Sequence, residues 1–175
     1  MLDQKGIKFI QTFVRIFLYY ARALDPTMLR ALNEISRVQA RPTKDNMEKS
    51  KWFLDCAATC INAIIRYYAS QMIFHIDSDA AYLVMPEARS VYAGSFYLSD
   101  WPRDKINLPS TKRNGPIITT CKTIRNVVSS AAESETTGTF CNAKEGVHIL
   151  PSLIGLGHKQ PPAPLKTDNS TTYGF

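Results

Sequence analysis

Apolar residues recur at three- and four-residue spacing through the first third of the chain, which is the spacing of one buried helical face. Breaks and caps divide this region into three predicted helices, which pass through Phe13, Leu32 and Phe53. Asp25-Pro26 places a capping side chain before a proline that suits the first helical position. Thr43 is the predicted cap of the third helix.

After about residue 64 the pattern changes to short runs rich in β-branched and aromatic residues. These runs predict four strands, over residues 64–68, 72–76, 90–98 and 117–124, with a polar loop over residues 99–116. Ser129 or Ser130 can cap a long helix that runs to about Leu156. Residues 161–164 form a stiff proline-rich linker, and residues 165–167 predict a last strand.

The order of elements, three helices followed by β-β-β-β-α-β, predicts an α+β protein with a mixed sheet and one long helix. The change of pattern near residue 64 predicts two domains, a helical segment over residues 1–63 and a sheet domain over residues 64–175. An α/β unit normally covers its last strand with a further helix. Only seven residues follow Asp168, so the second domain is expected to be C-terminally incomplete.

Charge is unevenly distributed along the 175 residues, whose formal net charge is +6. Residues 1–66 carry +5, residues 67–100 carry −3, residues 101–125 carry +5 and residues 126–175 carry −1. Basic segments therefore flank the acidic ones, a layout that suits a polyanion drawn towards an acidic, metal-binding centre. The alternative is that these charges form ordinary solvated surface.

The apolar stretch from Phe9 to Leu24 is interrupted by Arg15 and Arg22, which argues against a signal peptide or a transmembrane segment. The four cysteines include no C-x-x-C pair, and nothing at the N-terminus favours secretion. An intracellular protein, cytoplasmic or nuclear, with no membrane partner is therefore predicted.

Carboxylates stand at three places where side chains from distant segments can converge on one site. Asp77 and Asp79 follow the strand predicted over 72–76, Glu133 and Glu135 lie in the first turns of the long helix, and Asp168 ends the last strand. Converging carboxylates can hold Mg²⁺ against a phosphodiester. Each also has a structural explanation, as a turn residue, a charge that complements the helix dipole, or a helix cap.

Three motifs, in this order, resemble the C-terminal part of a copia-type retrotransposon polyprotein. They are His75-Ile76-Asp77-Ser78-Asp79-Ala80-Ala81-Tyr82, Ser129-Ser130-Ala131-Ala132-Glu133-Ser134-Glu135 and Thr167-Asp168-Asn169. Upstream, Leu18-Tyr19-Tyr20-Ala21-Arg22, Asp25-Pro26-Thr27 and the helix from Thr43 to Leu54 resemble the reverse transcriptase thumb and connection. The resemblance is collinear from Phe9 to Phe175.

The resemblance implies a ribonuclease H-like domain whose metal ligands and catalytic residues are Asp79, Glu135 and Asp168. It implies Mg²⁺ (or Mn²⁺) as the cofactor and hydrolysis of the RNA strand of an RNA·DNA hybrid. The implied partners are such a hybrid or another nucleic acid, together with other retroelement polyprotein products. The predicted nucleic-acid-binding residues are Arg103, Lys105, Lys112, Arg113 and Asn169.

Departures from the family pattern leave enzymatic activity open. The chain has no Tyr-x-Asp-Asp motif, so no polymerase activity is expected. Thr136-Thr137-Gly138, directly after Glu135, is a poor helix stretch where the family has better helix formers. The alternatives are a catalytically dead retroelement remnant that binds nucleic acid weakly, and a helical interaction module that uses the apolar face of the first helix.

Overall fold

The structure, a computed structural model, describes residues 1–101 and 113–168. The chain divides into two compact units, Met1–Ile65 and a second unit that begins at Arg66. The first unit is built from helices, and the second from a mixed sheet with one long helix. The predicted α+β class is therefore confirmed.

Side-chain caps mark the helix starts of the first unit. Its helices are α1 (Gln4–Ala23), α2 (Leu29–Arg37) and α3 (Lys44–Thr59), with a short 3-10 turn (Pro26–Met28) leading into α2. Asp3 accepts a hydrogen bond from the Gly6 N–H and starts α1. Asp25 caps the turn, and Thr43 caps α3 in a reciprocal capping box. The caps predicted at Asp25 and Thr43 are confirmed.

The first unit packs around the apolar residues that the helical spacing selected. Ile10 and Phe13 on α1, Leu32 on α2 and Phe53 on α3 are all buried. The Phe53 ring meets the Phe13 ring edge-on at a centroid distance of 5.2 Å and the Phe17 ring at 5.0 Å. Edge-to-face contacts of this kind add to the free energy gained from burial itself.

Within the described residues, four strands form the sheet of the second unit, in the order β3-β2-β1-β4. Their bounds are Ile73–Met85 for β1, Arg89–Ser99 for β2, Pro116–Thr123 for β3 and Leu165–Lys166 for β4. β1 pairs antiparallel with β2 and β2 antiparallel with β3, whereas β4 pairs parallel with β1. β1 is therefore a central strand, with β2 on one side and β4 on the other.

The long helix α4 (Ala131–Gly155) packs on one face of β1 and β2. Phe74 and Ile76 of β1, with Phe96 of β2, are buried in one cluster with Leu153 of α4. Because side chains alternate along a strand, the even-numbered residues of this part of β1 face α4. The odd-numbered residues, from His75 to Asp79, face the opposite side of the sheet.

The strand predicted over residues 64–68 is wrong. Tyr68 exchanges two hydrogen bonds with the side chain of Asn114, N–H to Oδ1 at 2.7 Å and Nδ2 to carbonyl at 2.9 Å. The Gly115 N–H also donates to the Arg66 carbonyl. A side-chain amide therefore takes the place of a neighbouring strand here, and no ladder forms despite the β-rich composition.

The first metal-ligand candidate was expected just beyond a strand ending at Ile76, and this is also wrong. β1 continues to Met85, so Asp77 and Asp79 lie inside it. They alternate with Ser78 and Ala80, which face α4 like Phe74 and Ile76. The two-residue period of a strand therefore continues past Ile76.

No helix in the part of the chain that the structure describes combines the length and apolar character needed to cross a membrane. The four cysteines are free thiols.

Candidate functional site

Three of the predicted site residues lie together where β1 meets β4. One ligand oxygen from each of Asp79, Glu135 and Asp168 lies within 4.8 Å of the other two. The Asp79 and Asp168 side chains are exposed, and Glu135 is half-buried. Hard carboxylate oxygens at this spacing are suited to a small divalent cation such as Mg²⁺, which retains several of its waters when bound.

The parallel pairing of β1 and β4 explains why Asp79 and Asp168 are neighbours. Ile76 lies opposite Leu165, and Asp77 lies opposite Lys166. Asp79 lies two residues beyond Asp77 on β1, and Asp168 lies two residues beyond the end of β4. The pairing therefore brings Asp168 alongside β1, where one oxygen of its carboxylate lies within 4.8 Å of ligand oxygens of Asp79 and Glu135.

α4 brings Glu135 to the same place from its second turn. Gly138, about one turn later, lies so close to β1 that an added Cβ would sit 3.2 Å from the Cβ of Ala80. The same Cβ would lie 3.6 Å from the Asp79 carbonyl oxygen. Glu135 is on the same side of the helix one turn earlier, and its carboxylate accepts a hydrogen bond from the Ala80 backbone.

The charged form of Glu135 is disfavoured in this arrangement. Burial raises the pKa of the Glu135 carboxyl, and the neighbouring charges of Asp79 and Asp168 raise it further, while the hydrogen bond from Ala80 acts in the opposite direction. The Glu135 Oε2 atom is buried and has no hydrogen-bond partner among the described residues. A bound cation would supply the partner that this oxygen lacks and offset the repulsion.

Asp77, the alternative first ligand, makes different contacts. Its Oδ1 accepts a hydrogen bond from the Tyr97 hydroxyl at 3.1 Å, and its Oδ2 lies 2.6 Å from Arg113 Nη2 in an ion pair. Burial, followed by the charge of Asp77, raises the pKa of Tyr97 to about 12. The residues alone left the choice between Asp77 and Asp79 open, whereas in the structure Asp79 is the one that joins Glu135 and Asp168.

His75 lies on the same face as Asp77 and is almost fully buried. Its ring stacks on Tyr97 at a centroid distance of 5.2 Å, and its Nε2 lies 2.9 Å from the Asp100 carbonyl oxygen. Because a carbonyl only accepts hydrogen bonds, Nε2 carries the proton. Burial lowers the pKa of the ring, so His75 is a neutral side chain that packs against Tyr97.

Glu133 has a structural role at the start of α4. Its Oε2 accepts hydrogen bonds from the Ser129 N–H and hydroxyl, both at 2.7 Å. These bonds lower the pKa of its carboxyl. The two glutamates of the second motif therefore have separate tasks, since Glu133 secures the helix start and Glu135 turns towards β1.

Of the predicted nucleic-acid-binding residues, the structure describes Arg113, whose side chain is 75% exposed. Arg103, Lys105, Lys112 and Asn169 lie outside the described residues. The contacts among Asp77, Tyr97 and Arg113 were not anticipated from the sequence. The sequence feature that pointed to these contacts was the two-residue spacing of His75, Asp77 and Asp79. This spacing is informative only once it is known that one strand spans all three residues.

No family model, curated protein or solved structure matches this chain.

Proposed function

We propose that this chain is a ribonuclease H-like protein, of the copia retroelement type, that hydrolyses the RNA strand of RNA·DNA hybrids. Asp79, Glu135 and Asp168 would hold Mg²⁺ or Mn²⁺ and are the catalytic residues of this proposal. The observation that carries it is the convergence of three carboxylates from β1, α4 and the end of β4 within 4.8 Å. Three distant segments contribute to this cluster, and each belongs to a motif that resembles the family.

The sheet order supports the proposal. The resemblance implies a mixed sheet in which a long helix precedes the last strand. The second unit has this order, with β3-β2-β1-β4 and α4 between β3 and β4. A fold alone does not define an activity, so the weight of the proposal rests on the carboxylates.

The three acids differ in exposure, and this difference suits them to different positions around a bound cation. Glu135 is half-buried and would anchor the inner side of a cation, while the exposed Asp79 and Asp168 face the solvent from which a phosphodiester approaches. A divalent cation, when bound, supplies Lewis acidity and lowers the pKa of bound water. The protein's own contribution is to fix the ligand oxygens on one strand, one helix and one strand end.

The helical interaction module has one observation in its favour. α1 exposes three large side chains, with exposed fractions of 43% for Phe9, 56% for Ile16 and 79% for Tyr19. A protein that acts only through this surface would neither bind nor cut a hybrid. A catalytically dead remnant would bind without cutting, so one experiment separates the three alternatives.

The decisive experiment is cleavage of a hybrid whose RNA strand is 5′-labelled, with Mg²⁺ or with a chelator. We expect Mg²⁺-dependent cleavage by the wild-type protein. Asp79→Asn and Asp168→Asn should each reduce the rate by at least ~100-fold, because residues that only support a metal ligand already cost 10- to 100-fold. Binding of the hybrid should change little in both variants.

The matched control is Glu145→Gln, which removes a carboxylate from α4 whose partner is Lys122, away from the three acids. This variant should cut at the wild-type rate. Substantial cleavage by folded Asp79→Asn or Asp168→Asn would sink the site assignment. Hybrid binding without any cleavage by the wild-type protein would leave the inactive remnant as the function.

A further inference from the structure

Two cationic side chains lie one strand step from the three carboxylates. Lys166 is opposite Asp77 in the β1–β4 register and two residues before Asp168. Asp77 is two residues before Asp79 and is paired with Arg113. A step of two residues along a strand is ~6.6 Å. Arg113 and Lys166 therefore lie next to Asp77, one strand step from Asp79 towards the start of β1.

Asp77 holds the Arg113 guanidinium without covering it. The Asp77 side chain is 15% exposed, the Arg113 side chain 75%. A guanidinium carries five N–H donors in a fixed fork. Although the guanidinium contacts both Asp77 and the Tyr97 hydroxyl, the Arg113 side chain stays 75% exposed, so part of its donors face solvent, where they can meet an anion.

Contacts with buried side chains hold Asp77 in position. The Tyr97 hydroxyl donates to its Oδ1, and Tyr97 is buried against the ring of His75. The order of contacts, His75 to Tyr97 to Asp77 to Arg113, runs from the buried sheet face to an exposed cation. Such a chain of contacts fixes the position of the Arg113 charge, while an ion pair with one exposed partner adds little to the stability of the fold.

Lys166 supplies the second charge. Its side chain is exposed, and no ion pair within residues 1–101 and 113–168 neutralises it. Leu165 packs into the core under α4, so Lys166, the next residue, faces the other side of the sheet. Its charge is one of the influences that lower the pKa of His75, which agrees with this placement.

We propose that Arg113 and Lys166 form a subsite for a backbone phosphate of nucleic acid, next to the phosphate that the three carboxylates would address. This inference rests on the proposed function and names how the substrate is held. Three clustered carboxylates repel a polyanion; Arg113, Lys166 and Asp77 together carry +1, and this charge, with the exposed donors of Arg113, offsets part of that repulsion. The two cations also fix which phosphate reaches the acids. Asp77 and Tyr97 are positioning residues for Arg113.

The test measures hybrid binding by the intact protein over a range of salt concentrations, by fluorescence anisotropy, with fixed Ca²⁺. Each phosphate contact contributes about 0.9 to the slope of log K against log salt. Because both cations would contact one phosphate, we expect the double variant of Arg113→Gln and Lys166→Gln to lower the slope by about that amount and each single variant by part of it. Arg113→Lys keeps the charge and should keep the slope. Arg89→Gln, an exposed arginine paired with Glu87, is the matched control and should change nothing.

A second measurement locates the contact. Hybrids that carry one uncharged methylphosphonate, moved stepwise along a strand, should lose affinity for the wild-type protein at one position. The double variant of Arg113→Gln and Lys166→Gln should be insensitive at that position and respond normally elsewhere. A structural role for the two cations would not produce this position-specific loss.

The outcomes separate this subsite from the proposed activity. A wild-type slope in the double variant, or an unchanged methylphosphonate profile, would overturn the subsite even if the protein cuts hybrids. Reduced slopes in a protein that does not cut would support the subsite and remove the enzymatic proposal. Absence of any hybrid binding by the wild-type protein would overturn both.

Discussion

Glu135 and His75 both lie where burial favours the neutral form of an ionisable side chain. Burial raises the pKa of Glu135 and lowers that of His75. Their surroundings differ, however. Glu135 has two acidic neighbours and a buried oxygen without a partner in the described structure, so a cation would relieve it. His75 also has a buried atom, Nδ1, without a partner in the described structure, but its neutral ring donates from Nε2 to a carbonyl and stacks on Tyr97, so it needs no counter-charge.

His75 should make the stability of the protein sensitive to acid. The pKa of His75 in the folded protein is below the ordinary value of 6.5. Below pH 6.5 the ring is therefore protonated in the unfolded chain and stays neutral in the folded protein. Stability therefore falls as pH decreases through 6.5. His75→Phe keeps the stacking on Tyr97 but loses the hydrogen bond to Asp100, which should cost about 1 kcal/mol at pH 8. Urea unfolding from pH 8 to pH 5 should show this difference shrinking.

The control for this effect is His148→Gln, which replaces an exposed histidine on α4. Its unfolding free energy should follow the wild-type dependence on pH. A constant difference between wild-type protein and His75→Phe at every pH would contradict the assignment of His75 as a buried neutral ring.

At the residue scale, the sequence identified the three acids but not their surroundings. The family resemblance selected Asp79, Glu135 and Asp168, and these three carboxylates lie together. The ion pair between Asp77 and Arg113 joins residues 36 positions apart, and no local pattern could have predicted it. Such contacts depend on strand register and on the path of the segment that follows β2.

At the scale of elements, α4 lies close to the sheet because small residues repeat along its inner side. Ser134, Gly138, Asn142 and Gly146 are spaced by four and are all buried. Asn142 Nδ2 donates to Ser78 Oγ and to the Ala93 carbonyl, both at 2.8 Å. Thr136-Thr137-Gly138, the stretch with poor helix propensity, is thus where α4 meets β1. Tertiary packing outweighs helix propensity there.

Gly94→Ala should disrupt this contact. A Cβ at Gly94 would lie 2.2 Å from Asn142 Oδ1 and 2.9 Å from Thr120 Oγ1. Because Asn142 is fully buried and hydrogen-bonded to two strands, it cannot move aside freely. We expect a loss of about 1–3 kcal/mol, as for other overpacked cores, measured by urea unfolding of the second unit.

Two variants make this prediction specific. Gly155→Ala adds a Cβ with nothing within 4 Å and should cost no stability. In an Asn142→Ala background, Gly94→Ala should lose most of its effect, since the colliding amide is gone. Equal costs for Gly94→Ala in both backgrounds would show that the collision is not the cause.

Hydrogen bonds between distant residues decide which segments become strands, and the local sequence does not contain them. α1 to α4 and β2 to β4 were predictable because their apolar periods and caps are local properties. Residues 64–68 have the composition of a strand, yet Asn114 satisfies Tyr68 through its side chain. Conversely, Asp77 and Asp79 look like a turn but belong to β1, because pairing with β2 continues past them.

At the scale of the whole molecule, the two units have separate buried cores. Phe53 and its aromatic neighbours build the first, and Phe74, Ile76 and Phe96 contribute to the second. The chain contains two tryptophans, and each unit has one, Trp52 and Trp101. Fluorescence can therefore follow the unfolding of each unit by itself.

Phe53→Ala should destabilise the first unit alone. Removing this ring leaves a cavity beside Phe13 and Phe17, with an expected cost of about 3 kcal/mol. The variant is made in two backgrounds, Trp101→Phe to follow Trp52 and Trp52→Phe to follow Trp101. The Trp52 transition should move to lower urea while the Trp101 transition stays in place.

Phe9→Ala is the matched control, because this phenylalanine is 43% exposed on α1. It should move neither transition by more than about 0.5 kcal/mol. A shift of both tryptophan signals in Phe53→Ala would show that the two units unfold as one.

The short strand β4 also determines when, during synthesis of the chain, the three-carboxylate cluster can form. Asp168 is 89 residues beyond Asp79, and it is brought there by a strand of two residues. On the ribosome, β1 to β3 and α4 emerge first and can pack while Asp168 is still within the exit tunnel. The three carboxylates can therefore meet only after β4 has paired with β1, so the cluster forms later than the contacts among β1, β2, β3 and α4.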